Sequence, residues 1–111
     1  MNQSFPRVSI LLPNLNHRPF LEERLRSIMD QSFSDWELII VDNHSDDGAW
    51  EFFKNLPERD SRIRIFQAPR RGMYDNWNNC IRLARGEYIY IATSDDTMVA
   101  DFLAVMVEAL D

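Results

Sequence analysis

Glu87-Tyr88-Ile89-Tyr90-Ile91-Ala92-Thr93-Ser94-Asp95-Asp96-Thr97 decides how this chain is read. An apolar, aromatic run of strand length opens directly onto two adjacent carboxylates. The pattern recurs upstream, where Trp36-Glu37-Leu38-Ile39-Ile40-Val41 runs into Asp42-Asn43-His44-Ser45-Asp46-Asp47-Gly48. Two strands that each emerge into uncancelled negative charge imply a sheet whose strand ends share a polar cleft.

Working outward, apolar runs alternate with helical spacing. Val8-Ser9-Ile10-Leu11-Leu12 reads as a buried strand stopped by Pro13. Phe20, Leu21, Leu25, Ile28 and Met29 predict a helix from Pro19 to about Gln31. Trp50, Phe53 and Leu56 mark a short helix ending before Pro57. Arg62-Ile63-Arg64-Ile65-Phe66 alternates like a strand near a sheet edge. Tyr74, Trp77, Ile81 and Ala84 form a helical face with Gly86 as its C-cap, and Tyr88 to Ala92 is the fourth strand, taken as buried. Phe102, Leu103, Met106 and Leu110 predict a last helix with Asp101 near its start. The order βαβαβαβα predicts an α/β fold, Rossmann-like, with a mostly parallel sheet between two helical layers. In such folds ligands bind beyond the carboxyl ends of the strands, where strand order reverses.

Composition narrows the function. The chain has 111 residues, one domain's worth, and a net charge of −6. That charge disfavours nucleic acid as a partner. Lys54 is the only lysine, and Cys80, the only cysteine, excludes an internal disulfide or a thiolate metal cluster. No apolar run approaches 18 residues, so no transmembrane segment is expected and the default compartment is the cytoplasm. The chain stops at Asp111, just after an apolar helix, with sheet edges still to cover. It reads as one domain over 1–111, truncated at its C-terminus.

The chemistry rests on the strand ends. Adjacent carboxylates repel, and a cation is the usual reason to keep them together. With no glycine-rich phosphate loop, a bound diphosphate would be neutralised by a metal held at Asp95 or Asp96, magnesium or manganese by their preference for oxygen. The competing reading is that one of these residues caps the helix that follows. Asp42 could accept hydrogen bonds from a base or ribose, or form an Asx-turn with Ser45. Asp47 could be a turn or N-cap residue. Arg70 and Arg71 could fork a phosphate or be solvated, and Asn78 and Asn79 lie opposite the Trp77 face. Cys80 reads as a small buried hydrophobe and His17 as a solvent-facing loop residue.

Taken in order, these motifs resemble family 2 glycosyltransferases of the GT-A fold. Val8-Ser9-Ile10-Leu11-Leu12-Pro13-Asn14-Leu15-Asn16 is similar to that family's first strand and P-x-x-N loop. Gln31-Ser32-Phe33 and Asp42 to Gly48 are similar to its Q-(T/S)-(Y/F) turn and D-x-x-S-x-D-G loop. Arg85-Gly86-Glu87-Tyr88-Ile89, followed by Asp95-Asp96, is similar to its R-G-E-Y-I strand and acidic metal motif.

The resemblance implies the nucleotide-binding half of an enzyme that moves a sugar from a nucleotide diphosphate to an acceptor hydroxyl, on a saccharide or a lipid-linked carrier. It implies that Pro13, Asn14, Asn16, Asp42, Asp47, Asn78 and Asp95 contact the donor, with Arg71 and Ser94 as further candidates beside them, and that Asp95 and Asp96 meet a divalent ion. It departs from the pattern at Thr93, which replaces a carboxylate, and at His44 and Cys80, which replace common glycines. No catalytic base is expected within the chain, which alone should be inactive or weak, and the parent enzyme could be membrane-associated. The alternatives are a non-catalytic nucleotide-binding module or an assembly piece that self-associates through its sheet edge into a homo-oligomer. A receiver domain fits poorly, because the first strand ends in Pro13-Asn14-Leu15-Asn16 rather than an acidic pair.

Overall fold

The computed structural model describes residues 5–68, 78, 80–93 and 99–111. Its elements run β1 (Val8–Asn14), α1 (Arg18–Met29), β2 (Trp36–Asp42), α2 (Ala49–Phe53), α3 (Leu56–Arg59) and β3 (Ile63–Gln67). A helical stretch follows, α4, whose described residues are 78 and 80–83. The chain closes with β4 (Tyr88–Ile91) and α5 (Phe102–Leu110). The four strands are parallel in the order β3-β2-β1-β4. The expected α/β architecture is therefore present.

Sheet order follows from burial. β2 is buried at every position, and β1 at every position but Pro13, as central parallel strands covered on both faces must be. Val8, Ile10, Leu12, Trp36, Leu38 and Ile40 pack on one face against Leu21, Leu25 and Ile28 of α1, Phe53 of α2 and Leu103 of α5. Leu11, Ile39 and Val41 pack on the other face against Ala68 and Cys80, with Leu83 and Ala84 alongside. That gives the three layers. Strand order runs outward from β1 to β3 and then returns to β1's far side for β4, so the reversal lies between β1 and β4.

Several local expectations need correction. Pro57 does not simply end a helix: it occupies the first turn of α3, where its missing N–H costs nothing. β4 is an edge strand with alternate residues exposed, Ile89 at 46% and Ile91 at 36%, not a fully buried one. Gly86 is no left-handed C-cap, since among the described residues Gly48 is the only glycine with positive φ. Gly86 is small because β1 passes against it: a Cβ there would sit 2.6 Å from Ser9 N and 2.7 Å from Ser9 Oγ. His17 is half-buried at the start of α1, edge-on to Phe20 with ring centroids 6.2 Å apart.

A buried polar knot fixes how β4 enters the sheet. Ser9 Oγ donates to Glu37 Oε2 at 2.6 Å and accepts the Gly86 N–H at 2.7 Å. The Arg85 N–H donates to Glu37 Oε2 at 2.7 Å, and the Arg85 and Arg64 guanidiniums reach Glu37 Oε1 at 3.0 and 2.9 Å. Burial pushes the Glu37 carboxyl up, but the hydrogen bonds from Ser9, Arg85 and Arg64 outweigh it and hold the carboxyl below its ordinary value. Three strands and the turn before β4 thus meet at one carboxylate.

Candidate functional site

The C-terminal ends of β1 and β2 carry the densest set of buried polar groups. Asn14 and Asp42 are register partners across the two strands, 1% and 0% exposed. Asn14 Nδ2 donates to Asp42 Oδ1 at 2.9 Å and to Ser45 Oγ at 3.2 Å. Asn14 Oδ1 is buried and has no hydrogen-bond partner. The amide cannot profitably flip, because both groups near Nδ2 are acceptors for it. The site therefore presents a desolvated acceptor that lacks a donor, an arrangement expensive to keep unless a ligand completes it.

The two loops at this edge are laced together. Ser45 donates through its N–H to Asp42 Oδ2 at 3.1 Å and through Oγ to Asp42 Oδ1 at 2.6 Å, the Asx-type bond foreseen for this loop. Ser45 Oγ accepts the Asn16 N–H at 2.9 Å, and Asn16 Oδ1 accepts the Asp46 N–H at 2.9 Å. Asn16 achieves this at φ 57°, a left-handed conformation asparagine tolerates. His44 is also left-handed, at φ 52°, where a glycine would be at ease; its Nδ1 lies 2.6 Å from Ala68 O, which ties the loop to the chain beyond β3. So the histidine keeps the glycine-like backbone and adds a side-chain tether.

Asp47 is committed to backbone. Its Oδ2 accepts the Arg18 N–H at 2.8 Å and its Oδ1 the Ala49 N–H at 3.1 Å, so one carboxylate serves the starts of α1 and α2. Pro13 is half-buried beside Val41 in the β1–β2 register. Asn78 is helical and exposed. Arg71, Ser94, Asp95 and Asp96 lie outside the described residues, as do Arg70, Tyr74, Trp77 and Asn79. Thr93, the residue before Ser94, lies two residues past β4, next to Ala92, whose N–H donates to Leu11 O at 2.7 Å. Among the described residues no group of three or more His, Cys, Asp or Glu side chains is clustered as a metal site. Cys80 is fully buried and burial pushes its thiol up to about 12, against a hydrogen bond from Val41, in keeping with a small buried hydrophobe.

Gln31, matched in sequence to a turn motif with no role assigned to it, is a positioning residue. Its Nε2 donates to Ser27 O at 3.0 Å and to Val99 O at 2.6 Å, and its Oε1 accepts the Leu103 N–H at 3.0 Å. It caps α5 in place of Asp101, whose side chain makes no cap bond. The Ser32 N–H adds a bond to Ala100 O at 2.8 Å. The turn after α1 thus anchors the chain that leaves the acidic segment. A glutamine just after an amphipathic helix was the available signal.

Known proteins share this architecture. A mannosyltransferase from Pyrobaculum calidifontis, solved with GDP-mannose and Mn2+, superposes with a TM-score of 0.85 at 29% identity, over 96% of this chain and 33% of its own. A GalNAc(5)-diNAcBac-PP-undecaprenol beta-1,3-glucosyltransferase of Campylobacter jejuni is 31% identical over 93% of this chain and 34% of its own length. The uncharacterized glycosyltransferase EpsJ of Bacillus subtilis is 37% identical over 82% of this chain and 26% of its own. The chain thus spans between 26% and 34% of the length of these relatives. Residues 9–111 match the sequence profile of glycosyl transferase family 2, and to that family this chain belongs.

Proposed function

We propose that this chain is the donor-binding part of a glycosyltransferase that moves a sugar from a nucleotide diphosphate to an acceptor hydroxyl. The buried, unpartnered Asn14 Oδ1 beside Asp42 carries the reading. A base N–H or a ribose hydroxyl supplies the donor that the protein does not, at the strand edge where this fold class takes its ligands. Asp42 is held by Asn14 and Ser45 to accept from the same nucleoside, and Pro13 and Asn16 shape the wall beside it. Asp47 acts indirectly, through the backbone of α1 and α2.

Arg71 is assigned to the diphosphate and Asn78 and Ser94 to the sugar-nucleotide. Asp95 and Asp96 would hold a magnesium or manganese ion, because paired carboxylate oxygens suit a hard dication. When bound, that ion would neutralise the departing diphosphate. The Campylobacter relative, named for an undecaprenol-diphosphate acceptor, supports a lipid-linked or saccharide acceptor for the whole enzyme. No catalytic base is assigned, so the chain alone binds donor and turns over slowly or not at all. Its single unpaired cysteine suits the reducing cytoplasm. No helix among the described residues is long and apolar enough to cross a membrane.

Isothermal titration with UDP and GDP, each with and without Mn2+, tests this. Metal-dependent heat that Asp95→Ala abolishes is the expected result. Silence at millimolar ligand for both nucleotides overturns it. An assembly role is the second reading, favoured by the exposed Ile89 and Ile91 on edge strand β4. Concentration-dependent dimerisation in light scattering, without nucleotide binding, would replace the first reading by the second.

A further inference from the structure

A cleft of about 680 Å³ opens between α1 and the α2–α3 pair, behind the loop that carries Asp47. Its volume is in the range of small-molecule sites. Its apolar lining includes Leu25, Phe52, Leu56 and Ile63, together with Met29, which is 41% exposed. The charges on its rim are not balanced locally. Glu22 is bonded to Arg18 at 3.2 Å, Glu51 to Lys54 at 2.6 Å, and Asp60 to Arg62 at 2.7 Å. Every carboxylate lining the cleft is thereby already paired. Arg26 on α1 and Arg59 on α3 both line the cleft and, among the described residues, neither has a carboxylate partner.

Two guanidiniums without a carboxylate partner, one from α1 and one from α3, in a cleft that is also lined by aliphatic side chains select one kind of occupant. We infer that this cleft binds a single-chain amphiphilic anion, its phosphate or carboxylate head forked by Arg26 and Arg59 and its alkyl part laid on Leu25, Met29 and Leu56. Guanidinium forks match such oxyanions in geometry as well as charge. The occupant is a monomer taken from solution rather than an anionic bilayer, because the chain carries a net charge of −6 and a flat anionic surface would be repelled. Arg18 and Gly48 line the cleft and also flank Asp47, so the occupant lies against the back of the loop that shapes the nucleotide site. The inference does not depend on the donor reading.

Calorimetry with dodecyl phosphate below its micelle concentration tests it, with inorganic phosphate and the neutral dodecyl maltoside as controls. Saturable one-to-one heat for dodecyl phosphate, absent for phosphate and much weaker for the maltoside, is expected. Arg26→Gln with Arg59→Gln should weaken it about tenfold or more, with the melting temperature confirming the fold. The Met29 methyl resonance should shift on titration, and Met29→Glu, at an exposed position, should abolish binding. Absence of saturable heat, equal affinity in the double variant, an unmoved Met29 methyl, or binding only to phosphatidylglycerol vesicles each overturns the inference.

Discussion

Asn14 and Asp42 face each other across β1 and β2 with an amide-to-carboxylate bond of 2.9 Å, and the other half of the Asn14 amide is left without a partner. The pair is therefore half satisfied and half unpaired, within a buried setting. Asp42→Asn replaces an acceptor that serves Asn14 and Ser45 with a group that must donate toward one of them. We expect a loss of about 1–3 kcal/mol in stability and at least a tenfold loss in nucleotide affinity. Asn14→Ala removes the open acceptor and should weaken nucleotide binding more than it lowers the melting temperature. A variant that binds nucleotide like the parent would remove Asn14 from the site.

Gly86 is required by the approach of β1, not by a turn. An alanine there would drive its Cβ to 2.6 Å from Ser9 N and 2.9 Å from Val8 C, both backbone atoms. Overpacking against backbone costs about 1–3 kcal/mol, and for a chain of this size each kcal/mol lowers Tm by roughly 4–8 °C. Ser9→Gly should fail to rescue Gly86→Ala, since the closest atoms remain. Rescue in a thermal melt would place the clash on the hydroxyl instead.

The strands were legible because parallel, doubly covered strands are near-continuous apolar runs, and β1 and β2 are such runs. The strand ends were legible because Asp42 follows its run without a break. Glu37, Arg85 and Gln31 were not legible in their roles. A glutamate within a strand looks like a surface residue until Arg64 and Arg85, distant in sequence, are folded onto it. Gln31 looks like loop polarity until Val99 and Leu103 arrive from 68 and 72 residues away. Gly86 carried a true signal with the wrong cause, because a close approach and a helix cap both ask for glycine. Pro57 was misjudged in the same way, since proline stops one helix and starts another.

Acid should unfold the protein through Glu37 and Asp60. Both carboxyls lie below their ordinary values in the folded state: Glu37 despite the upward push of burial, and Asp60 through hydrogen bonding from Arg62. A group lowered by folding stabilises fully above its unfolded value, near 4.5 for Glu37 and 3.8 for Asp60, and that stability drains away as pH falls toward the folded value. Melting temperature should thus be flat from pH 7 to about 5 and fall below it. Glu37→Gln should lower Tm at pH 7 and flatten the acid limb, while Asp60→Asn flattens a smaller part. A Glu37→Gln limb as steep as the parent's would show that the network is not the acid-sensitive element.

Arg24 sets the sharpest contrast with Glu37. It is 1% exposed on α1, and its Nε and Nη1 have no hydrogen-bond partner. A buried ion gains only from good pairing, and replacing an ill-paired one by an apolar side chain of similar volume is neutral or stabilising by about 1–4 kcal/mol. Met fits the same stem without the charge and packs beside Leu21, Leu25 and Ile28. Arg24→Met should therefore raise the melting temperature of the free chain, opposite in sign to most buried substitutions. If the same variant lowers the melting temperature when nucleotide and manganese are present, the guanidinium gains a partner in the bound state. A lower melting temperature in the free chain as well would show that Arg24 is already paired there, against the contacts seen in this fold.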